Sequence, residues 1–422
     1  NPHLIEALRE HVGADLMPAI FEAGYNLDFF DGDALNQVGR IENGNLLLGR
    51  NRYKIVILPA VDTIPIDTYR KFEDFVKSGG ILVATRRLPA KAPGFLATTE
   101  NHQEIGGLSK RLFEGPNTQA HFVANEPSQL ARQLQQVVKP DIEFVPASSD
   151  LGFVHRKTGD AEIYFIANTA NARRTVKAYF RVSGMKPAWW NPTDGSVTPA
   201  KDESGSLEYS ELKLDIEPYG SRILVFSKAS PGNYEERVVN ASPPRPLEIS
   251  ADWKVSVGNS PASQWSKLRS WTDDEGTRYF SGSATYEKNL TVPSVFLEQQ
   301  AVSLDFGESI PLTPQSLRSG MQAWLEGPIR EAAVVYINER RAGSIWCPPY
   351  SLEVRQFLRP GVNTIRIVVA NTAMNHMAGR SLPDYRLLNL RYGERFQAQD
   401  MDKVQALPSG LLGPIHLIAR SQ

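Results

Sequence analysis

The stretch from 334 to 377, VVYINERRAGSIWCPPYSLEVRQFLRPGVNTIRIVVANTAMNHM, constrains the fold more than any other, because its turns use residues with defined backbone habits. Val335 and Ile337 alternate with Val334 and Tyr336, the period of a half-buried strand. A polar turn from Asn338 to Arg341 follows, with Gly343 just beyond, and the chain resumes at Ile345 and Trp346. At Pro360-Gly361 proline presets one turn φ and glycine accepts a positive one. Ile365, Ile367 and Val369 then alternate with Arg366 and Val368. Short strands with one apolar face and tight reversals between them predict a β-sandwich.

With 422 residues the chain has room for two or three domains, each able to bury a core. Lys and Arg number 46 against 47 Asp and Glu, so the formal net charge of -1 gives no electrostatic reason to expect nucleic acid or an anionic membrane as partner. No apolar run approaches the ~20 residues of a membrane span, and no signal-peptide pattern opens the chain. It begins Asn1-Pro2 without an initiator methionine, as expected of a processed or truncated product. The single cysteine, Cys347, excludes an intrachain disulfide and a cysteine-rich zinc site.

Residues 1–142 alternate helix and strand. Leu4, Ile5, Leu8 and Val12 recur at helical spacing, and a second helical segment is expected around Pro18, ending at Gly24. Tyr25 to Phe30 and Tyr53 to Leu58 read as strands and Thr68 to Val76 as a helix capped by Ser78-Gly79-Gly80. Strand Ile81 to Thr85 and a helix from Ser128 to Val138 complete a parallel α/β layer. Residues 143–228 read as a small antiparallel β-domain, with strands at Gly152 to His155, Ala161 to Ala167, Val176 to Val182 and Arg222 to Phe226. A proline-rich linker, 229–247, leads to a sandwich spanning 248–422.

The order of strand, Ile-Asn, Gly, Trp-x-x-Pro, strand, Pro-Gly-x-Asn, strand and Ala-Asn-Thr-x-x-Asn in 334–377 resembles the galactose-binding-like jelly roll of large glycoside hydrolases. RYFSGSATYEKNLTVP (278–293) and LPSGLLGPIHLI (407–418) are similar to its opening and closing strands. The whole looks like the C-terminal accessory region of bacterial α-L-rhamnosidase-like enzymes. Relatives often carry Arg and Asp near the positions of His376 and Arg380, a departure that puts any polar contact there in doubt. The α/β layer resembles the amidotransferase-like domain that follows the barrel in some β-galactosidases. The resemblance implies a carbohydrate partner, a catalytic barrel upstream of Asn1 and a secreted or periplasmic location.

The residues themselves point away from catalysis. A catalytic amidotransferase-like layer places a cysteine on a sharp turn after a strand, but the turn after Ile81 to Thr85 is Arg86-Arg87-Leu88-Pro89. Only a few strand–helix units precede the all-β region, against the eight of a barrel whose strand ends would carry paired carboxylates. Sugar binding is assigned to Trp271, Trp346 and Tyr350, whose flat rings match the C–H face of a sugar, and to Asn371, Asn375 and His376, whose polar groups can meet hydroxyls. Trp324 belongs to the same aromatic set. Core filling by the tryptophans is the competing and favoured use. Asp273, Asp274 and Glu275 offer oxygen ligands for Ca²⁺, against the more ordinary use of such a run as a solvated loop; no cofactor is required. The expected function is a noncatalytic part of a glycoside hydrolase, with a stand-alone carbohydrate-binding protein as the alternative.

Overall fold

Three parallel strands, Ile55–Pro59, Ile81–Thr85 and Ala120–Val123, lie side by side in chain order. The structure is a computed structural model describing residues 11–115, 118–192, 195–204, 206, 208–228, 242–313, 324–394 and 404–420. Ile81–Thr85 is buried at every position, as an unbroken ILVAT run demands when both faces are covered. Tyr69, Phe72 and Phe75 of helix Ile66–Lys77 and Ile105 and Leu108 of helix Thr99–Phe113 pack on Leu82 and Ala84. On the other face, Leu16 and Ile20 of Leu16–Glu22 and Leu134 of Ala131–Val137 cover Ile81 and Val83.

Local chemistry sets these boundaries. Ile66–Lys77 carries Asp67 in its first turn and Lys77 in its last, matching the helix dipole. It stops where Gly79 takes φ +96° and the Gly80 amide returns to Phe75 O at 2.9 Å. Thr99–Phe113 opens on a reciprocal box between Thr98 and Asn101.

One expectation for this layer fails. Tyr25 to Phe30 is not a strand: it has no ladder partner and is held by separate bonds, among them the Tyr25 hydroxyl donating to Val138 O. Ahead of the first parallel strand the chain also forms an antiparallel meander of Gly39–Glu42, Asn45–Leu48 and Asn51–Tyr53. Its first turn is Asn43-Gly44, with φ of 49° and 69°, the left-handed pair that a two-residue hairpin requires.

Next, a three-stranded sheet (Ile142–Val145, Arg174–Phe180, Ser210–Ile216) faces a five-stranded one. The latter contains Leu151–Lys157, Ala161–Asn168, Lys186–Trp190, Val197–Pro199 and Ser221–Ser227. Between them Tyr164 meets Phe180 and Phe226 edge-on at 5.0 and 5.9 Å.

The C-terminal part pairs a six-stranded sheet containing Trp253–Val257, Ser283–Val292, Gly361–Ala370, Ala332–Ile337 and Arg340–Ile345 with a four-stranded sheet containing Ala301–Asp305 and His416–Arg420. Val335, Ile337, Ile365, Ile367 and Val369 all point inward and are fully buried, against Val302, Leu304 and Leu417 of the opposite sheet. Within the expected linker, residues 229–241 lie outside the described residues, while Leu247 already pairs with Leu417 in the smaller sheet. Asn171 Nδ2 donates to Leu312 O at 2.6 Å, and the Trp324 amide donates to the Tyr219 hydroxyl at 2.9 Å, so the two β parts touch.

Gly24 joins the parallel layer to the β strands that follow. Its φ is +86°, and a Cβ there would stand 1.8 Å from Ile142 O, a backbone atom that cannot swing away. Gly24→Ala is therefore expected to destabilise the protein by about 3 kcal/mol or more, whereas Gly159→Ala, at an exposed turn with open space, stays within about 0.5 kcal/mol. Urea unfolding of the two variants measures the difference.

Candidate functional site

Ligands of parallel sheets are met at the carboxyl ends of the strands, and Ile81–Thr85 ends in a sharp turn. Arg86 follows it with φ +64°, the left-handed conformation in which a strand-to-helix elbow would present a nucleophile. Its guanidinium turns inward. Nε donates to Glu126 Oε1 at 3.1 Å and Nη2 to Val12 O, and the Glu126 side chain is only 3% exposed. The elbow is thus filled by a structural ion pair, and a guanidinium spent on Glu126 and Val12 O offers no lone pair to act as nucleophile or base. Cys347 stands elsewhere, exposed past the end of Arg340–Ile345, and partial desolvation pushes its thiol up, away from the thiolate that reacts.

A second location is one rim of the six-stranded sheet. Ser283 pairs with Ala370, Ala370 with Ala332, and Ala333 with Ile345, so the segments beginning at Trp346 and Asn371 emerge at the same end. The sequence-assigned residues divide there. Trp346 projects, 67% exposed, and Tyr350 is half-buried, with burial raising its hydroxyl pKa and Ser309 bonding to it. Trp324 is also half-buried. Trp271 is fully buried; its indole N–H donates to the Tyr286 hydroxyl at 2.8 Å and its ring meets Phe280 edge-on.

The two amides are consumed by backbone and by the Ser409 hydroxyl. Asn371 accepts from the Gly282 amide at 2.9 Å and donates to Phe280 O and Ser409 Oγ. Asn375, 2% exposed, accepts from the Leu407 amide at 2.8 Å and donates to Leu407 O and Ser409 Oγ. The Ser409 amide in turn donates to Ser270 Oγ at 3.0 Å. His376 is exposed, and its backbone amide donates to Ser281 Oγ. Ser270, Ser281 and Ser409 carry no sequence signal, since serine is common in loops and its partners lie far along the chain.

In the acidic run, Asp273 accepts from the Ser270 amide, capping the turn Trp271–Asp273, and Asp274 accepts from the Gly276 amide. Glu275 is exposed. Among the described residues, no group of three His, Cys, Asp or Glu side chains is placed to hold a metal ion.

A glycoside-hydrolase family model described as alpha-L-rhamnosidase matches residues 10–203. A protein of Formosa agariphila named "Putative beta-glucuronidase" is 29% identical over 233 residues, covering 51% of this chain and 18% of its own. The rhamnosidase structure from Novosphingobium sp. PP1Y superposes over 93% of this chain and 36% of its own, with a TM-score of 0.68 and 24% identity. This chain therefore spans well under half the length of both, and the structural likeness is one of fold.

If amides at the rim serve the fold, Asn375→Ala leaves a buried serine and backbone groups unpaired and costs about 2–3 kcal/mol. Trp346→Ala stays within about 0.5 kcal/mol. Chemical denaturation of both variants checks the contrast.

Proposed function

From the premise that this chain resembles α-L-rhamnosidase-like glycoside hydrolases, we propose that it is a noncatalytic portion of such an enzyme, supporting a catalytic barrel carried elsewhere in the protein. The reading divides it into an amidotransferase-like α/β domain (1–142), a small antiparallel domain (143–228), a linker (229–247) and a galactose-binding-like jelly roll (248–422). The ion pair of Arg86 with Glu126 carries the proposal, because it occupies the left-handed position at the end of the central parallel strand, a place where a nucleophile would stand. The parallel sheet of the described residues has three strands, short of the eight of a barrel. Sugar contact, if the enzyme makes it here, falls to Trp346, whose exposed ring suits a sugar face, and this observation favours the second reading of a carbohydrate-binding protein. Asp273, Asp274 and Glu275 enter as a loop rather than a Ca²⁺ site.

The test is hydrolysis of an aryl α-L-rhamnoside by the purified, folded chain. No turnover above buffer is expected. Turnover that survives repurification and disappears on replacing a single carboxylate of this chain contradicts the proposal.

A further inference from the structure

His155, on strand Leu151–Lys157, stands between two carboxylates. Its Nε2 lies 2.7 Å from Glu162 Oε2 on the neighbouring strand Ala161–Asn168, and its Nδ1 lies 3.4 Å from Asp141 Oδ2 in the segment that leaves the parallel layer. Lys157 also pairs with Glu162, and Arg181 with Asp141. The imidazole stacks on Tyr164, centroids 4.2 Å apart and planes 7° from parallel. Tyr164's hydroxyl is buried without a hydrogen-bond partner. Tyr25, whose hydroxyl pKa burial raises to about 12, lies within electrostatic reach of Arg181 and Asp141 and donates to Val138 O.

A neutral imidazole has one N–H and one lone pair, whereas an ionised carboxylate only accepts. With an oxygen facing each ring nitrogen, one of the two contacts repels unless both nitrogens carry protons. We propose that His155 is a proton-operated clasp that fastens the parallel layer to the two facing β sheets behind it. Asp141 is the point of transmission: its amide donates to Gly24 O at 3.2 Å and its carbonyl accepts from the Arg181 amide at 3.0 Å. Loss of a ring proton releases the longer contact, that of Nδ1 with Asp141, and leaves the carboxylate to Arg181 alone. This inference is independent of any glycosidase role.

The sign follows from two opposed shifts. Burial lowers the basicity of His155, but Asp141 and Glu162 together raise it further, so its pKa stands above the ordinary value. Its contribution is complete below about pH 6.5 and is lost as pH rises through the folded value. Burial raises the Asp141 carboxyl, but His155 and Arg181 outweigh it, so its pKa is depressed and its contribution disappears only as pH falls through that low value. The clasp is fastened in mildly acidic solution and loosens toward alkaline pH.

The experiment uses the full chain, following His155 by NMR and the amides of Tyr25 and Asp141 by hydrogen exchange corrected for intrinsic rate. A His155 pKa above that of free histidine is expected, with a several-fold loss of protection at both amides over the same pH range. His155→Gln removes the pH dependence, and Glu162→Gln, which leaves the ring and its Asp141 contact in place, moves the transition to lower pH. A His155 that titrates at or below the free value, or a pH dependence that persists unchanged in His155→Gln, overturns the proposal.

Discussion

The parallel layer depends on one buried charge and the group that neutralises it. Glu126 lies at the start of the turn Glu126–Leu130, almost wholly out of water, where an unpaired carboxylate would cost several kcal/mol. Arg86 supplies the opposite charge and at the same time donates to Val12 O. One guanidinium thereby connects the end of the central strand, the turn after Ala120–Val123 and the segment ahead of helix Leu16–Glu22. Gly13 leaves room for it: a Cβ there would come within 2.7 Å of the Arg86 side chain. The left-handed backbone at Arg86, which costs on the order of 1 kcal/mol for a side chain of this kind, is held in place by these contacts.

The same economy governs the rim of the C-terminal sandwich. Asn371, Asn375 and Ser409 are the kind of convergent polar groups that recognise sugars, yet each bonds to chain nearby in space and far along the sequence. They tie the opening strand, the segment after Gly361–Ala370 and the approach to the closing strands together above the buried pair Trp271 and Tyr286. What the fold leaves unused at that end is aromatic surface, chiefly Trp346.

Much of the sandwich was legible because alternation is a local signal. Val335 with Ile337, and Ile365 with Ile367 and Val369, sit inside as the period of two requires. The same rule cannot separate Trp271 from Trp346, since both adjoin loops and only tertiary packing buries the first and exposes the second. Tyr25 to Phe30 had the composition of a strand but finds no neighbour to pair with, whereas the Asn43-Gly44 turn was a readable hairpin signal that went unused. The Arg86–Glu126 and His155–Asp141 contacts join residues remote in sequence but close in space, so no motif announces them. The family model matches residues 10–203, whereas the turns and strands that resemble the jelly roll lie between 278 and 418. The second region signals itself through turn residues with defined backbone habits, the first only through buried apolar strands that many folds share.

The claim that the elbow serves structure rather than chemistry is tested most directly by a double-mutant cycle on Arg86 and Glu126. Arg86→Met and Glu126→Leu should each destabilise the protein by about 3 kcal/mol, and the two combined should cost less than the sum of the singles, since no charge is then left buried. Single variants within about 0.5 kcal/mol of the parent, with additive effects, would show that the pair holds nothing together and would reopen the strand end as a place for chemistry.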